Sequence, residues 1–321
     1  MRAVTFTGAG GNEVVRFGER PDPVPADHQV VVAARLAGLN WADVAQRMGN
    51  YPPPPGAPAD IPGLEVAGVV TAAGPAVRAW HAGDRVFGVV GGGGLADRVA
   101  VHERHITAIP VNLAEDVAAA VPEAYITAHD AVFTRAGLRL GEVLLVNGAN
   151  GAVGSAAVQL GLAAGARVVA NVRSHGSAAA LAERGALVVS PQTALEQVAA
   201  LGGADVVLEL VGAPNLDFDF DALAPKGRIV VVGTTAGESA GISLRALMGK
   251  RARLDGTVLR ARPMEEKAAA VQSFARSVLP LLAGGQVAPV IERVFSAADA
   301  AEAFDYLARP GKSGKILLEF S

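Results

Sequence analysis

Cysteine is absent from the sequence, which excludes disulfide bonds, thiolate zinc sites, iron–sulfur clusters and thiol catalysis. A surplus of positive charge is also missing: the net charge is −3, which gives no electrostatic footprint for nucleic acid. No apolar run approaches the ~20 residues of a membrane span, and the N-terminus begins like a strand, not like a secretion signal. We therefore expect a soluble, cytoplasmic protein whose partners include neither nucleic acid nor membrane.

Hydrophobic residues, by contrast, make up 51% of the 321 residues, and a chain of this length usually forms two domains. The pattern changes near residue 122. Before it, short β-type runs alternate with turns rich in Pro and Gly, as in Gln29–Ala34, Glu65–Ala72 and Asp84–Val90. Many short strands with turn signals between them predict a small, barrel-like β domain.

From residue 123 the chain alternates between predicted strands and helices. The strands are Glu142–Asn147, Arg167–Val172, Ala186–Val189, Asp205–Leu210, Arg228–Val232 and Arg253–Val258, and the helices between the first four are Gly151–Ala164, Ser177–Arg184 and Thr193–Leu201. Such nearly continuous apolar strands indicate a parallel sheet covered by helices on both faces, a doubly wound α/β fold. A helix over 265–283 and a final strand, Lys315–Phe320, are predicted in the remaining chain.

The motif Gly148-x-x-Gly151-x-x-Gly154 lies between the first of these strands and its helix. A sharp strand-to-helix turn needs a residue free of Cβ strain, a diphosphate must approach bare backbone, and the helix must pack closely on the strand. The free N–H groups and the positive end of the helix would then meet the phosphate charge. Since more strand–helix pairs follow, we predict dinucleotide binding rather than an ordinary tight turn.

The end of the second strand distinguishes the two nicotinamide dinucleotides. Sites for NAD usually place an Asp or Glu there to bind the ribose hydroxyls, but Asn171–Ser177 contains no acid. Arg173 offers a planar set of donors for a 2′-phosphate, and Ser174 adds a hydroxyl. We therefore predict NADPH rather than NADH, the alternative being that Arg173 is merely an exposed residue at the end of a strand.

Several further segments resemble one family of enzymes. They are Ala37–Asp43, Gln46–Pro52, Gly63–Gly68, Pro122–Ala128, the glycine motif and Leu259–Arg262, and together they span nearly the whole chain. In these segments the sequence resembles the zinc-independent, zeta-crystallin-like quinone oxidoreductases of the medium-chain dehydrogenase/reductase superfamily, above all the branch of p53-inducible NADPH quinone oxidoreductases.

The resemblance implies an α/β protein with a GroES-like β-barrel catalytic domain and a doubly wound Rossmann domain that binds the cofactor. The catalytic domain would be discontinuous, with residues 1–122 and 265–321, and the Rossmann domain would comprise residues 123–264. The resemblance also implies NADPH as the hydride donor and an electron-poor quinone or activated enone as the acceptor. It further implies a homodimer joined through edge strands of the cofactor domains.

Individual ligand-binding residues are also implied by the resemblance. Those expected around the substrate and the nicotinamide are Asn40, Asp43, Tyr51 and Thr127; those for the phosphates and the adenine ribose are Gly151, Ala152, Val153, Arg173 and Ser174; those lining the nicotinamide after strand ends are Val211, Gly212, Gly233 and Thr234. Two positions depart from the family, because relatives often carry Lys at the position of Ser177 and an aromatic residue near Pro191.

Metal binding is not expected. Metal-dependent members of the superfamily carry Gly-His-Glu where this sequence has Gly63-Leu64-Glu65, and leucine cannot bind a metal ion. The six histidines are scattered along the sequence, and neither His102 nor His105 belongs to a zinc-helix motif. We expect the histidines to be surface residues, His129 to occupy an ordinary helix position rather than to donate a proton, and Glu65 to accept hydrogen bonds from nearby backbone.

Without a metal, we expect catalysis to come from the positioning of nicotinamide and acceptor. Tyr51 is the candidate for a hydrogen bond to the acceptor oxygen and for its protonation, unless its ring only packs on the neighbouring prolines. Asn40 is expected to donate to the acceptor carbonyl or the nicotinamide ribose, or else to be a turn amide. Asp43 is expected to orient a neighbour or cap a helix, and Thr127 to contact the nicotinamide or cap a helix.

The sequence therefore predicts an NADPH:quinone oxidoreductase. An enoyl-thioester or 2-alkenal reductase is the second hypothesis, although no segment suggests a carrier-docking surface. A protein that binds NADPH without catalysis, structural or RNA-binding, is a third hypothesis, and the charge balance disfavours RNA.

Overall fold

The computed structural model describes residues 1–173 and 179–320. The chain divides into two compact units. Unit 1 consists of Met1–Ile126, Leu259–Pro310 and Gly314–Ser321, and unit 2 of Thr127–Val258 and Gly311–Ser313. The domain borders predicted from the sequence, 122/123 and 264/265, lie near these borders. The assignment of a catalytic and a cofactor-binding role to the two parts stays a prediction.

The first part of unit 1 is built from short strands and three helices. They are β1 (Arg2–Phe6), β2 (Val15–Glu19), β3 (Gln29–Ala33), β4 (Leu36–Leu39), α1 (Trp41–Arg47), β5 (Glu65–Ala73), β6 (Arg85–Val89), β7 (Arg98–His102), β8 (Ile106–Ala108), α2 (Glu115–Ala119) and α3 (Pro122–His129), the last of which continues across the border into unit 2. Five strands form an antiparallel sheet in the order β7-β3-β5-β6-β8. β-branched side chains, among them Val32, Val66 and Val86, fill its core, as their preference for pleated surfaces predicts. The predicted β domain is confirmed.

Unit 2 contains one parallel sheet with helices between its strands. The elements are β9 (Val143–Asn147), α4 (Ala152–Ala163), β10 (Arg167–Asn171), α5 (Ala179–Glu183), β11 (Leu187–Val189), α6 (Ala194–Ala200), β12 (Ala204–Glu209), α7 (Leu216–Ala222), β13 (Leu223–Val231), α8 (Leu244–Lys250) and β14 (Arg253–Gly256). The strand order is β11-β10-β9-β12-β13-β14, which is the order of the Rossmann fold and confirms the predicted doubly wound architecture. All five residues of β9 are buried, as a central parallel strand requires.

The C-terminal part of unit 1 consists of α9 (Met264–Ala283), β15 (Ile291–Ser296), α10 (Ala300–Ala308) and β16 (Lys315–Glu319). β16 pairs in parallel with β15 and antiparallel with β4, where Leu317 faces Gly38. This pairing brings the end of the chain beside the loop that precedes α1. Within the two described ranges, no helix is both long enough and apolar enough to cross a membrane.

Candidate active site

The glycine motif forms the turn between β9 and α4. Gly148 has φ +76°, a conformation that side chains with a Cβ rarely adopt. A Cβ on Gly154 would lie 2.3 Å from the carbonyl oxygen of Gly148, so only glycine lets α4 pack this closely on the turn. A Cβ on Gly151, by contrast, would meet no atom nearer than 3.5 Å.

The N-terminus of α4 is open. Gly151 is its N-cap residue, no side chain caps the helix, and the half-buried residues Ala152 and Val153 form its first turn. An uncapped helix N-terminus presents free N–H groups and a partial positive charge. These features fit the diphosphate of a dinucleotide, with the open space at Gly151 allowing close approach.

Three buried side chains end the neighbouring strands β9, β10 and β12. They are Asn147, Asn171 and Glu209, and the register of the sheet places them side by side. Asn147 donates from Nδ2 to Oε2 of Glu209 at 2.7 Å, and Asn171 donates to Oδ1 of Asn147 at 2.9 Å. β9 is also the point at which the strand order reverses, the usual ligand-binding edge of such a sheet.

The two loops predicted to line the nicotinamide are joined to each other. The N–H of Ala236 donates to the carbonyl oxygen of Val211, and the N–H of Ala213 to that of Gly237, both at 2.9 Å. A Cβ on Gly212 would lie 2.8 Å from Cα of Thr234. The structure thus brings four predicted residues, Val211, Gly212, Gly233 and Thr234, into one pair of loops after β12 and β13.

The predicted 2′-phosphate residues lie beyond the end of β10. Arg173 is exposed, and it is the last residue before an undescribed segment. Ser174 and Ser177 fall outside the described residues, and the predicted helix Ser177–Arg184 begins there too. Pro191, at the position where relatives often carry an aromatic residue, is exposed.

In unit 1, Asp43 links the start of α1 to a neighbouring segment. Its Oδ2 accepts a hydrogen bond from the N–H of Asn40 at 2.8 Å, and its Oδ1 accepts one from the N–H of Gly63 at 2.9 Å. The side chain is completely buried, and this burial raises its pKa to about 6 against the opposing effect of the two N–H donors. The capping contact considered from the sequence is present, and it leaves Asp43 bonded to backbone.

Asn40 is oriented by a buried ion pair. Lys315 donates to its Oδ1 at 2.7 Å and forms a salt bridge with Glu65, while Nδ2 of Asn40 donates to Oε1 of Glu65 at 2.9 Å. The Lys315 and Glu65 side chains are 1% and 2% exposed. Glu65 also accepts from the N–H of Glu123 at 2.9 Å, the backbone contact expected from the sequence. Lys315 was not identified from the sequence.

The ring of Tyr51 packs against an arginine. The guanidinium carbon of Arg260 lies 4.9 Å from the centroid of the Tyr51 ring. Arg260 also donates to the carbonyl oxygens of Tyr51 and Gly91, at 2.9 and 2.8 Å, and to Oε1 of Gln46. Burial raises the pKa of the half-buried Tyr51 phenol, so the hydroxyl carries its proton at neutral pH.

Two further ionisable groups of unit 1 were not identified from the sequence. Lys267 is buried and donates to the carbonyl oxygen of Arg260 at 2.7 Å. Glu123 lies half-buried in the first turn of α3, and burial followed by the Glu65 carboxylate raises its pKa to about 7. Thr127, a predicted site residue, is buried further along α3 on the unit 2 side of the border.

Three of the six histidines lie close together, and His129, in α3, is buried rather than at the surface. The ring centroids of His28 and His102 are 5.8 Å apart, and those of His102 and His105 are 5.2 Å apart. His102 accepts from the N–H of Arg104, and His105 contacts the carbonyl oxygen of Met264. In the described part of the chain, no group of three or more potential ligand residues is arranged to hold a metal ion.

Comparisons with known proteins agree with this fold. The alcohol dehydrogenase GroES-like domain matches residues 26–111, and the zinc-binding dehydrogenase family matches residues 152–276. The chain is 32% identical to the quinone oxidoreductase of Mus musculus, with 99% of this chain and 97% of that protein covered. It is 35% identical to the Spectinabilin polyketide synthase system protein NorB of Streptomyces orinoci, with 97% of this chain but 14% of that protein covered.

A solved structure shares the whole fold. The crystal structure of Escherichia coli quinone oxidoreductase complexed with NADPH superposes with a TM-score of 0.87 at 24% identity, and 100% of both chains is covered. The fold and the matched domains define the class, an oxidoreductase of the medium-chain dehydrogenase/reductase superfamily. Within it, the full-length similarity shows that the chain belongs to the quinone oxidoreductase family.

Proposed function

We propose that the protein is an NADPH-dependent quinone oxidoreductase that reduces quinones or activated enones without zinc. The observation that carries the proposal is the open N-terminus of α4 behind three glycines, in a chain that belongs to the quinone oxidoreductases. When bound, NADPH would supply a hydride from its reduced nicotinamide.

The residues of unit 2 fit the parts of this cofactor. The N–H groups of Ala152 and Val153, with the bare backbone of Gly151, would bind the diphosphate. Arg173, with Ser174, would bind the 2′-phosphate and give the preference for NADPH. The joined loops at Val211–Gly212 and Gly233–Thr234, together with Thr127, would contact the nicotinamide.

The residues of unit 1 would act on the acceptor. Tyr51 would donate a hydrogen bond to the acceptor oxygen and pass it a proton, since its raised pKa keeps the phenol protonated and Arg260 fixes the ring. Glu65 takes one N–H of Asn40, and the second faces the carbonyl oxygen of Gly38 at 3.4 Å, too long to satisfy it fully. This second N–H would donate a hydrogen bond to the acceptor carbonyl or to the nicotinamide ribose.

The chemistry at residues 63–65 supports the proposal that the enzyme works without zinc. Leu64 is buried and offers no ligand atom. The next residue, Glu65, already has a cation beside it, because Lys315 pairs with it. Without a Lewis acid to polarise the acceptor, the enzyme suits substrates that accept a hydride readily, which quinones and activated enones do.

The test is NADPH oxidation by the purified protein with 1,4-benzoquinone and 9,10-phenanthrenequinone, followed by absorbance before and after treatment with EDTA. We expect turnover that is faster with NADPH than with NADH and unchanged by the chelator. Loss of activity in EDTA, restored by zinc, contradicts zinc independence. Tight NADPH binding without turnover on any quinone or enone supports the non-catalytic hypothesis instead.

An enoyl thioester is the second candidate acceptor. The 35% identity to a part of a polyketide synthase system protein favours keeping it. Rates with crotonyl-CoA and with 1,4-benzoquinone, measured at equal concentrations, distinguish the two candidates. If kcat/KM is higher for crotonyl-CoA, the enoyl thioester and not the quinone is the preferred acceptor.

A further inference from the structure

Two carboxyl groups meet below the nicotinamide-side loops of unit 2. Glu209 ends β12, and Asp219 lies on α7; their side chains are 1% and 0% exposed. Both accept a hydrogen bond from the same nitrogen, Nδ2 of Asn147, at 2.7 Å to Glu209 and 2.6 Å to Asp219. The distance between the bonded oxygen of Glu209 and that of Asp219 therefore cannot exceed the sum of these two distances.

The donors around the pair are distributed unequally. Glu209 accepts hydrogen bonds from the N–H groups of Val211 and Gly212 and from the side-chain amides of Asn147 and Asn215. Asp219 accepts one from an N–H donor, at Oδ1, and its side chain also hydrogen-bonds with that of Glu209. Because Asp219 is completely buried and has a single N–H donor, its charged form is stabilised least, and Asp219 is the carboxyl group that holds a proton.

Among the described residues, the charged side chains on α7 and on the elements packed against it are exposed or already paired. In the described ranges, these side chains are Asp217, Asp221, Glu196, Lys226, Arg228 and Lys250. The first four are exposed, Arg228 pairs with Glu142 at 2.8 Å, and Lys250 donates to backbone carbonyls. Burial, and after it the Glu209 carboxylate, raises the pKa of Asp219 to about 9.

Glu209 holds the turn that follows β12. Its Oε1 accepts the N–H of Gly212 at 2.6 Å, and Gly212 has φ +113°, a conformation that this contact helps to fix. The carbonyl oxygen of Glu209 accepts from the N–H of Val232 at 2.9 Å, after β13. One residue thus bonds to both loops that are proposed to contact the nicotinamide.

We propose that Asp219 is a positioning residue for the nicotinamide half of the cofactor: as a neutral acid it keeps the Glu209 carboxylate at the end of β12, where Glu209 holds the Val211–Gly212 turn. The inference rests on the proposed function, since it assumes that NADPH binds at these loops. Asp219 itself touches neither cofactor nor substrate.

The test compares Asp219→Asn with Asp219→Leu. Asparagine keeps an acceptor for Asn147 and replaces the acidic O–H by an N–H towards Glu209, whereas leucine of similar size keeps neither. We expect the Kd for NADPH, measured by fluorescence at pH 7, to stay near the wild-type value in Asp219→Asn. In Asp219→Leu we expect it to rise about tenfold or more, the effect of losing a charge-assisted hydrogen bond.

Adenosine 2′,5′-bisphosphate carries only the adenine half of the cofactor. Its binding therefore distinguishes an effect on the nicotinamide half of the site from a general loss of structure. We expect both variants to bind it as wild type does. Parallel loss of NADPH and bisphosphate binding in Asp219→Leu would overturn the inference, as would unchanged NADPH binding. The control variant is Asp217→Asn, on the exposed side of the same helix, which should change neither affinity.

A pH profile gives an independent readout. Between pH 8 and 10 wild-type Asp219 loses its proton beside Glu209, so the Kd for NADPH should rise, while that of Asp219→Asn should stay flat. Identical profiles would overturn the inference and leave the proposed function intact. Failure of the wild type to bind NADPH at any pH would overturn both.

Discussion

At the residue scale, two cationic side chains position the candidate catalytic groups of unit 1. Arg260 holds the ring and backbone of Tyr51, and Lys315 orients Asn40 through its contacts with that amide and with Glu65. A cationic side chain is stable in a buried position only when carboxylates or carbonyl oxygens surround it, because an unpaired buried charge costs much free energy. The candidate catalytic groups thus depend on residues that do not themselves react.

Tyr51→Phe tests the assigned proton donor. Since the ring can still pack against Arg260, we expect kcat with quinones to fall about 100-fold, in the range of general acid catalysis. The Kd for NADPH should not change. Tyr306→Phe is the matched control, because Tyr306 also donates from its hydroxyl, to Glu292 at 2.7 Å, outside the candidate site. Equal kcat values for wild type and Tyr51→Phe would remove Tyr51 from the mechanism.

Lys315→Met tests the buried ion pair. Glu65 would keep its charge with no cation beside it, so the free energy of unfolding should fall by about 3–5 kcal/mol, measured with urea. The double variant Lys315→Met with Glu65→Gln removes both charges and should recover part of that loss. A double variant as unstable as the sum of the two single variants would show that the pair is not coupled.

At the element scale, the junction of β9 and α4 separates folding from ligand binding. Two of its glycines meet different surroundings: a Cβ on Gly154 collides with the turn, and a Cβ on Gly151 meets open space. Their spacing in the sequence looks equivalent, but only the packed helix shows that one serves the fold and the other faces outward.

Gly154→Ala and Gly151→Ala form a matched pair. We expect Gly154→Ala to lower both Tm and NADPH affinity, because α4 must move away from the turn. Gly151→Ala should leave Tm within about 1 °C, since surface-like changes cost little, yet weaken NADPH binding by crowding the diphosphate. Thermal unfolding and fluorescence titration measure the two effects, and unchanged NADPH affinity in Gly151→Ala would argue against a phosphate at this turn.

At the scale of the whole molecule, the sheet of unit 2 ends in an edge strand. β14 pairs on one side with β13, and α8, which packs against β13, exposes Leu244 and Met248 by 67% and 74%. An open strand edge and exposed apolar side chains both favour contact with another chain. We therefore keep the prediction of a homodimer joined at this edge.

Light scattering on the purified protein tests this prediction. We expect the mass of a dimer for the wild type and that of a monomer for the double variant Leu244→Glu with Met248→Glu. Leu140→Glu is the control, because Leu140 is 82% exposed elsewhere in unit 2 and should leave the dimer intact. A wild-type monomer at micromolar concentration would contradict the prediction.

The fold was predictable from the sequence because its signals are local. Runs such as Glu142–Asn147 and Asp205–Leu210 are apolar over their own length, and the glycine motif lies between a strand and a helix only a few residues away. Strand formation, turn geometry and helix starts depend mainly on such neighbours. The sequence alone therefore determined a β domain followed by a doubly wound sheet, and a turn suited to a diphosphate.

Only the tertiary structure decided which distant polar residues meet. Lys315 reaches Asn40 because β16 pairs with β4, and Asp219 reaches Asn147, the neighbour of Glu209, because α7 packs on the sheet of unit 2. No local pattern distinguishes a lysine or an aspartate that will be buried from one that stays in water. Their partners become defined when the sheet assembles, and burial then makes each charge depend on the group placed beside it.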